Sequence, residues 1–153
     1  MMEKLIYTWD QLHADTIKIC NWVKECGFKP DGIIGIARGG VVPATIASHF
    51  FDVNPYYVHW SLRDGKVKDM ELVKEIAIKA AFGKRLLLID DIVDSGETIL
   101  ELRNWFSNFY TTGNNVLYTS LFYNIAQPAT MHFYVNTIDR TKDKRWVQFP
   151  FEI

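Results

Sequence analysis

Only two of the 153 residues are cysteine, Cys20 and Cys26. That is too few for a disulfide framework or a metal cage, so both are expected to be reduced thiols of a cytosolic protein. No apolar stretch approaches the roughly 20 residues that a membrane-spanning helix needs. The opening run Met1-Met2-Glu3-Lys4-Leu5-Ile6-Tyr7 lacks the unbroken apolar core of a secretory leader. An excess of either charge is missing as well. Seventeen Lys+Arg stand against 18 Asp+Glu, a net charge of −1, which excludes a generally basic nucleic-acid binder. Prolines number five, and there is neither an internal repeat nor a low-complexity tract. The expectation is one cytoplasmic domain that partners neither nucleic acid nor membrane.

What the chain does have is apolar residues, 48% of the total, too many for disorder. A chain of this length buries roughly two-thirds of its unfolded surface, enough for a core without staples. Thr8-Trp9-Asp10-Gln11 has capping-box form and opens a helix to about Cys26, with Leu12, Ile17, Cys20 and Val23 as its stripe. Gly27 supplies a left-handed stop. Ile33-Ile34-Gly35-Ile36-Ala37 is a short apolar run that predicts a buried strand, broken by Arg38-Gly39-Gly40. Pro43 marks the start of a helix through Phe50. Residues 56–61 are β-rich and predict a second strand, and residues 62–70 a charged loop. Residues 71–82 fit either a helix or an irregular strand. Leu86-Leu87-Leu88-Ile89 is again continuously apolar and ends in Asp90-Asp91. A helix follows from about Gly96, with Ile99, Leu102, Phe106 and Phe109 on one face. Further strands are expected over 116–122 and 132–135. Trp22, Trp105 and Phe109 either line a dimer interface or fill the core.

Fully apolar strands alternating with helices indicate a doubly wound α/β fold with a mainly parallel sheet covered on both faces. Such sheets bind ligands beyond the carboxyl ends of their strands. That rule selects two loops, the Arg38-Gly39-Gly40 turn and residues 90–98. In the second, a buried strand delivers two adjacent acids to the sheet edge, where cation or hydroxyl partners must offset their burial. The run Asp94-Ser95-Gly96-Glu97-Thr98 then opens a helix. Free amides and the positive dipole end form an anion pocket there, and the Ser95 and Thr98 hydroxyls add donors. Acids for ribose hydroxyls and a metal, beside a phosphate cradle, describe a site for a phosphorylated sugar. An acid pair also marks response-regulator receivers, but there it follows the first strand, whereas 85 residues precede Leu86 here.

Residues 86–98 resemble the phosphoribosyl-pyrophosphate signature of type I phosphoribosyltransferases. The resemblance covers nearly the whole chain and is closest to the small xanthine-guanine and hypoxanthine enzymes. Tyr7-Thr8-Trp9-Asp10 resembles their start, Gly35-Ile36-Ala37-Arg38-Gly39-Gly40 their pyrophosphate loop, and Trp146-Val147-Gln148-Phe149-Pro150-Phe151-Glu152 their base-binding end. The resemblance implies transfer of 5-phosphoribose from phosphoribosyl pyrophosphate to a purine base, with Mg²⁺ as cofactor. It implies one domain with a core over about 10–135. A small hood comes from the terminal segments, about 136–153 with the N-terminal residues. It further implies a homodimer or homotetramer.

By the same resemblance Asp90 and Asp91 meet the ribose hydroxyls and the metal shell, with Glu152 assisting. Asp94, Ser95, Gly96, Glu97 and Thr98 wrap the 5′-phosphate, and Asp94 also lies near the purine's imidazole nitrogen. Arg38, with Gly39 and Gly40, takes the pyrophosphate, after a cis peptide between Ala37 and Arg38. Asp94 and Arg38 are thus the implied catalytic residues. Ser61, Arg63 and Lys66 belong to a flap that excludes water, although the tyrosine the family often has after the serine is Leu62 here. Trp146 is the stacking platform and Val147 offers backbone groups. The family's lysine for the base's 6-oxygen is replaced by Asn124, or Tyr123, which leaves the base open. A phosphoribosyltransferase for another base and a non-catalytic regulatory module of the same fold remain the alternatives.

Overall fold

The computed structural model describes residues 2–61, 67–109 and 115–153. Strand β1 (Lys4–Ile6) leads into helix α1 (Trp9–Glu25). The expected capping box is present: Gln11 N donates to Thr8 Oγ1 (3.2 Å) and Thr8 N to Gln11 Oε1 (2.8 Å). Gly27 follows at φ +75°, a left-handed stop that costs a residue without Cβ nothing. Then come β2 (Gly32–Ala37), α2 (Val41–Phe51), β3 (Asn54–His59) and α3 (Met70–Ala81). The ambiguous segment is therefore helical, burying Val73, Ile76 and Ala77 at helical spacing. Helix α2 begins at Val41, ahead of Pro43, because proline fits anywhere in the first turn.

Strand β4 (Leu86–Val93) runs straight through the acid pair where the sequence suggests an end at Asp90-Asp91. After it come α4 (Glu97–Phe109), β5 (Val116–Asn124), β6 (Phe133–Ile138) and β7 (Trp146–Gln148). The main sheet is five-stranded in the order β3-β2-β4-β5-β6, with every pairing parallel. Strands β1 and β7 form a separate two-stranded parallel sheet, Leu5 opposite Val147.

Side chains alternate across β4, so its leucines serve two cores. Leu86 and Leu88 pack with Val73, Ile76, Ile99 and Leu102 of α3 and α4. Leu87 and Ile89 pack with Leu12, Ile19, Ala44 and Ala47 of α1 and α2. Trp22 stacks on Phe133 (centroids 4.7 Å apart) and Trp105 packs against the α3–α4 core. The terminal sheet is fixed by an edge-to-face cluster of Tyr7, Phe122 and Phe149, with centroids 4.9–5.7 Å apart. Among the described residues no helix is long and apolar enough to cross a membrane.

Candidate functional site

Strand β2 ends at Ala37, and the Ala37–Arg38 peptide is cis. The chain turns at once, Gly40 N donating to Ile36 O (2.7 Å) and Val41 N to Arg38 O (3.2 Å). This turn leaves Arg38 exposed, with its guanidinium unpaired among the described residues. Gly40 is wedged against backbone: a Cβ there would lie 2.7 Å from Ile36 N and O and 2.8 Å from Ile89 O. Gly39 meets something different. A Cβ on it would fall 1.8 Å from Oδ2 of Asp91, so the acid of β4 rests directly on the turn after β2.

The neighbouring acid lies against it, the two carboxyls within hydrogen-bond reach of each other. Asp90 is buried, and its Oδ1 accepts from Asp91 N (2.8 Å). Burial first, then the charge of Asp91, pushes its carboxyl well above the usual carboxylate range. Burial also raises Asp91, with the negative charge of Glu152 adding to it. No salt-bridge partner reaches either acid among the described residues. Two hard-oxygen carboxylates short of positive charge are what a divalent cation relieves. No group of three or more His, Cys, Asp or Glu side chains is set to hold a metal among the described residues.

Between β4 and α4 lies the cradle. Gly96 adopts φ +82° and a Cβ there would sit 2.2 Å from Gln127 Oε1, so both conformation and space require glycine. Ser95 Oγ accepts from Glu97 N (3.3 Å), the first amide of the helix. The next first-turn amides, of Thr98 and Ile99, have no intrahelical acceptor and lie at the positive end of the helix dipole. Gln127 was not singled out in the sequence. It holds the 127–129 turn by accepting from Ala129 N (2.6 Å) and donating to Asn124 O and Ala129 O (both 3.0 Å).

The terminal segment supplies the other wall. Trp146 is 43% exposed, and its Nε1 donates to Glu152 Oε2 (2.9 Å). That bond fixes the indole while Glu152 stays near Asp91. Val147 buries its side chain, at 3% exposure, between β1 and the α1–α2 core. Ser61 lies just past β3, its amide donating to Val67 O (2.8 Å). Arg63 and Lys66 lie outside the described residues.

Asn124, expected to meet the base, has its polar atoms engaged within the protein. It is buried, its Nδ2 donates to Asp94 O (2.8 Å), and its Oδ1 accepts from Ala126 N (3.0 Å) and Arg140 N (3.1 Å). Nor is Tyr123 free, since its hydroxyl donates to Ala129 O (2.6 Å). The cation at this spot is Arg140, which sequence reasoning passed over. Its Nε and Nη2 donate to Oδ1 (3.0 Å) and Oδ2 (3.1 Å) of Asp94. A cavity of about 230 Å³ lined by Arg103, Tyr118, Thr130 and His132 lies at the amino-terminal end of β5, at the far end of the sheet from these groups.

Residues 6–149 match the family described as phosphoribosyl transferase domain. A xanthine-guanine phosphoribosyltransferase of Idiomarina loihiensis is 25% identical over 95% of this chain and 85% of its own length. One from Nitratidesulfovibrio vulgaris is 28% identical over 95% of this chain and 82% of its own. In structure, a purine phosphoribosyltransferase from Pyrococcus horikoshii superposes with a TM-score of 0.74 at 23% identity, over 99% of this chain and 96% of its own.

Proposed function

Since the chain belongs to the phosphoribosyl transferase domain family, we propose that it transfers 5-phosphoribose from phosphoribosyl pyrophosphate to a ring nitrogen of guanine, xanthine or hypoxanthine. The observation that carries the reading is the contact of Asp91 with Gly39. It brings the acid pair at the end of β4 onto the arginine turn after β2.

In the reaction the bond from C1′ to the pyrophosphate oxygen breaks and its electron pair leaves with pyrophosphate. The base nitrogen forms the new bond to C1′ and gives up its proton. Asp94 accepts the hydrogen bond from the base N–H and takes that proton or passes it to water. The amides of Thr98 and Ile99 and the hydroxyls of Ser95 and Thr98 hold the 5′-phosphate through charge-assisted bonds. Arg38 meets the departing pyrophosphate, and the Gly39 and Gly40 amides approach it closely. Asp90 and Asp91, with Glu152 alongside, would hold Mg²⁺, which neutralises pyrophosphate charge when bound. Trp146 stacks on the base and orients it. Activity as a homodimer or homotetramer belongs to the same proposal.

The test is a panel of purine and pyrimidine bases incubated with donor and Mg²⁺, reading nucleotide formation. Nucleotide is expected with a 6-oxopurine. Turnover by the Asp94→Asn variant should fall about 10²-fold or more, on the scale of general acid–base effects. No nucleotide from any base overturns the proposal, and undiminished turnover in Asp94→Asn removes that residue from it.

A further inference from the structure

Asp94 belongs to the cradle by sequence, yet its carboxylate is held from elsewhere. Arg140, just after β6, grips both oxygens in a fork. The remaining terminal nitrogen, Nη1, donates to the carbonyls of Arg145 and Asp143, the latter at 3.4 Å. Arg145 is the residue immediately before Trp146. One guanidinium therefore spans from the acid proposed to face the base's ring nitrogen to the backbone that carries the proposed stacking platform. Asn124 braces the same arrangement, donating to Asp94 O and accepting from Arg140 N.

The geometry is directional. A planar fork on a carboxylate fixes its rotation as well as its position, which a lone ammonium cannot do. Four of the five guanidinium N–H groups are committed: two to Asp94, one to each carbonyl. The Arg140 side chain is 18% exposed and that of Asp94 42%, so the clamp is sheltered while the carboxylate keeps an open side. Lone pairs on that side remain for a ligand N–H.

We infer that Arg140 is a positioning residue for the base: it sets the separation and tilt between the Asp94 carboxylate and the face of Trp146. The inference rests on the proposed transferase reading and adds to it a residue that touches neither donor nor reacting atoms. Its signature is selectivity between the two substrates. Loss of the fork misplaces the base, while Arg38 and the cradle amides keep the donor.

Steady-state kinetics with both substrates varied on the full chain test this. In Arg140→Gln, KM for the base should rise about 10-fold or more, since an ångström of misplacement costs up to about 10²-fold. KM for the donor should change less than about 2-fold. Arg140→Lys keeps the charge but cannot fork and reach the carbonyls together, so the base KM stays raised. It also stands in should Arg140→Gln fail to fold. Equal rises in both KM values, an unchanged base KM, or full restoration by lysine would overturn the inference while leaving the transferase reading intact. Absence of nucleotide formation in the unsubstituted protein would remove both.

Discussion

Replacing Gly39 with alanine puts the union of the two loops under direct test. The new methyl would begin 1.8 Å from Asp91 Oδ2 and 2.2 Å from its Cγ, against a floor of 3.0 Å that real Cβ contacts respect. The carboxylate must therefore retreat by roughly 1.2 Å, the difference between those two distances. The obstacle is a partly buried side chain rather than backbone, so the cost to folding should stay at the low end of overpacking, about 1 kcal/mol. For a chain of about this size that corresponds to a melting temperature lower by no more than about 4 °C. The cost to function should be far larger, because a misplacement of that order in a reacting site is worth about 10²-fold. Gly40→Ala is the control, since its methyl meets three backbone atoms at 2.7–2.8 Å that cannot rotate away. It should destabilise by about 1–3 kcal/mol. Initial rates of nucleotide formation and thermal melts by circular dichroism, run side by side, separate the two effects. If Gly39→Ala keeps near-normal turnover, Asp91 has no positional role and the joining of the loops carries no function. Melting as low as Gly40→Ala would mean that the Gly39 contact is structural.

Three further outcomes are expected. Trp146→Ala should raise the base KM about 5- to 150-fold, the equivalent of 1–3 kcal/mol of stacking, with donor KM unmoved; equal losses in both would contradict the platform role. Asn124→Ala strips partners from Asp94 O, Ala126 N and Arg140 N. Each costs about 1–3 kcal/mol where buried, so a melting shift under about 2 °C would refute a keystone role for Asn124. His132 Nδ1 accepts from Tyr118 N (2.9 Å), which requires that nitrogen unprotonated. Burial, then the charge of Arg103, lowers its pKa from 6.5. Its contribution to stability is thus complete above pH 6.5 and lost as pH falls through the lower folded value. His132→Gln should flatten the dependence of unfolding free energy on pH between 7 and 5, and an unchanged slope would refute the assignment.

Features that were legible in the sequence depend on neighbours in the chain. The capping box at Thr8 spans four residues, and the apolar runs of β2 and β4 are continuous because both faces of the sheet are covered. The acid pair and the cradle share one stretch for the same reason, strand to turn to helix. Helix α3 was ambiguous because Val73, Ile76 and Ile78 favour strands locally, and packing against the sheet and α4 overrides that preference. Strands β1 and β7 are three residues each, too short for any period to register. Their pairing is made from opposite ends of the chain.

Arg140 escaped for a sharper reason. Its partner in the ion pair is 46 residues away, and its surroundings, Asp139, Lys142, Asp143, Lys144 and Arg145, read as a solvated charge run. Resemblance points instead to Asn124, at the place of the family's lysine. The buried environment of Asn124 argues against such a cation. An ammonium there would sit beside a guanidinium already serving Asp94 and would leave the Ala126 and Arg140 amides without their acceptor. Burying it would cost far more than burying a neutral amide. The asparagine satisfies three backbone groups with no charge to desolvate, and the positive charge enters from the more open side, on the segment that also carries Trp146. Asn124 and Arg140 are thus two halves of one solution, the first bonding the Asp94 carbonyl and the Arg140 amide and the second the Asp94 carboxylate.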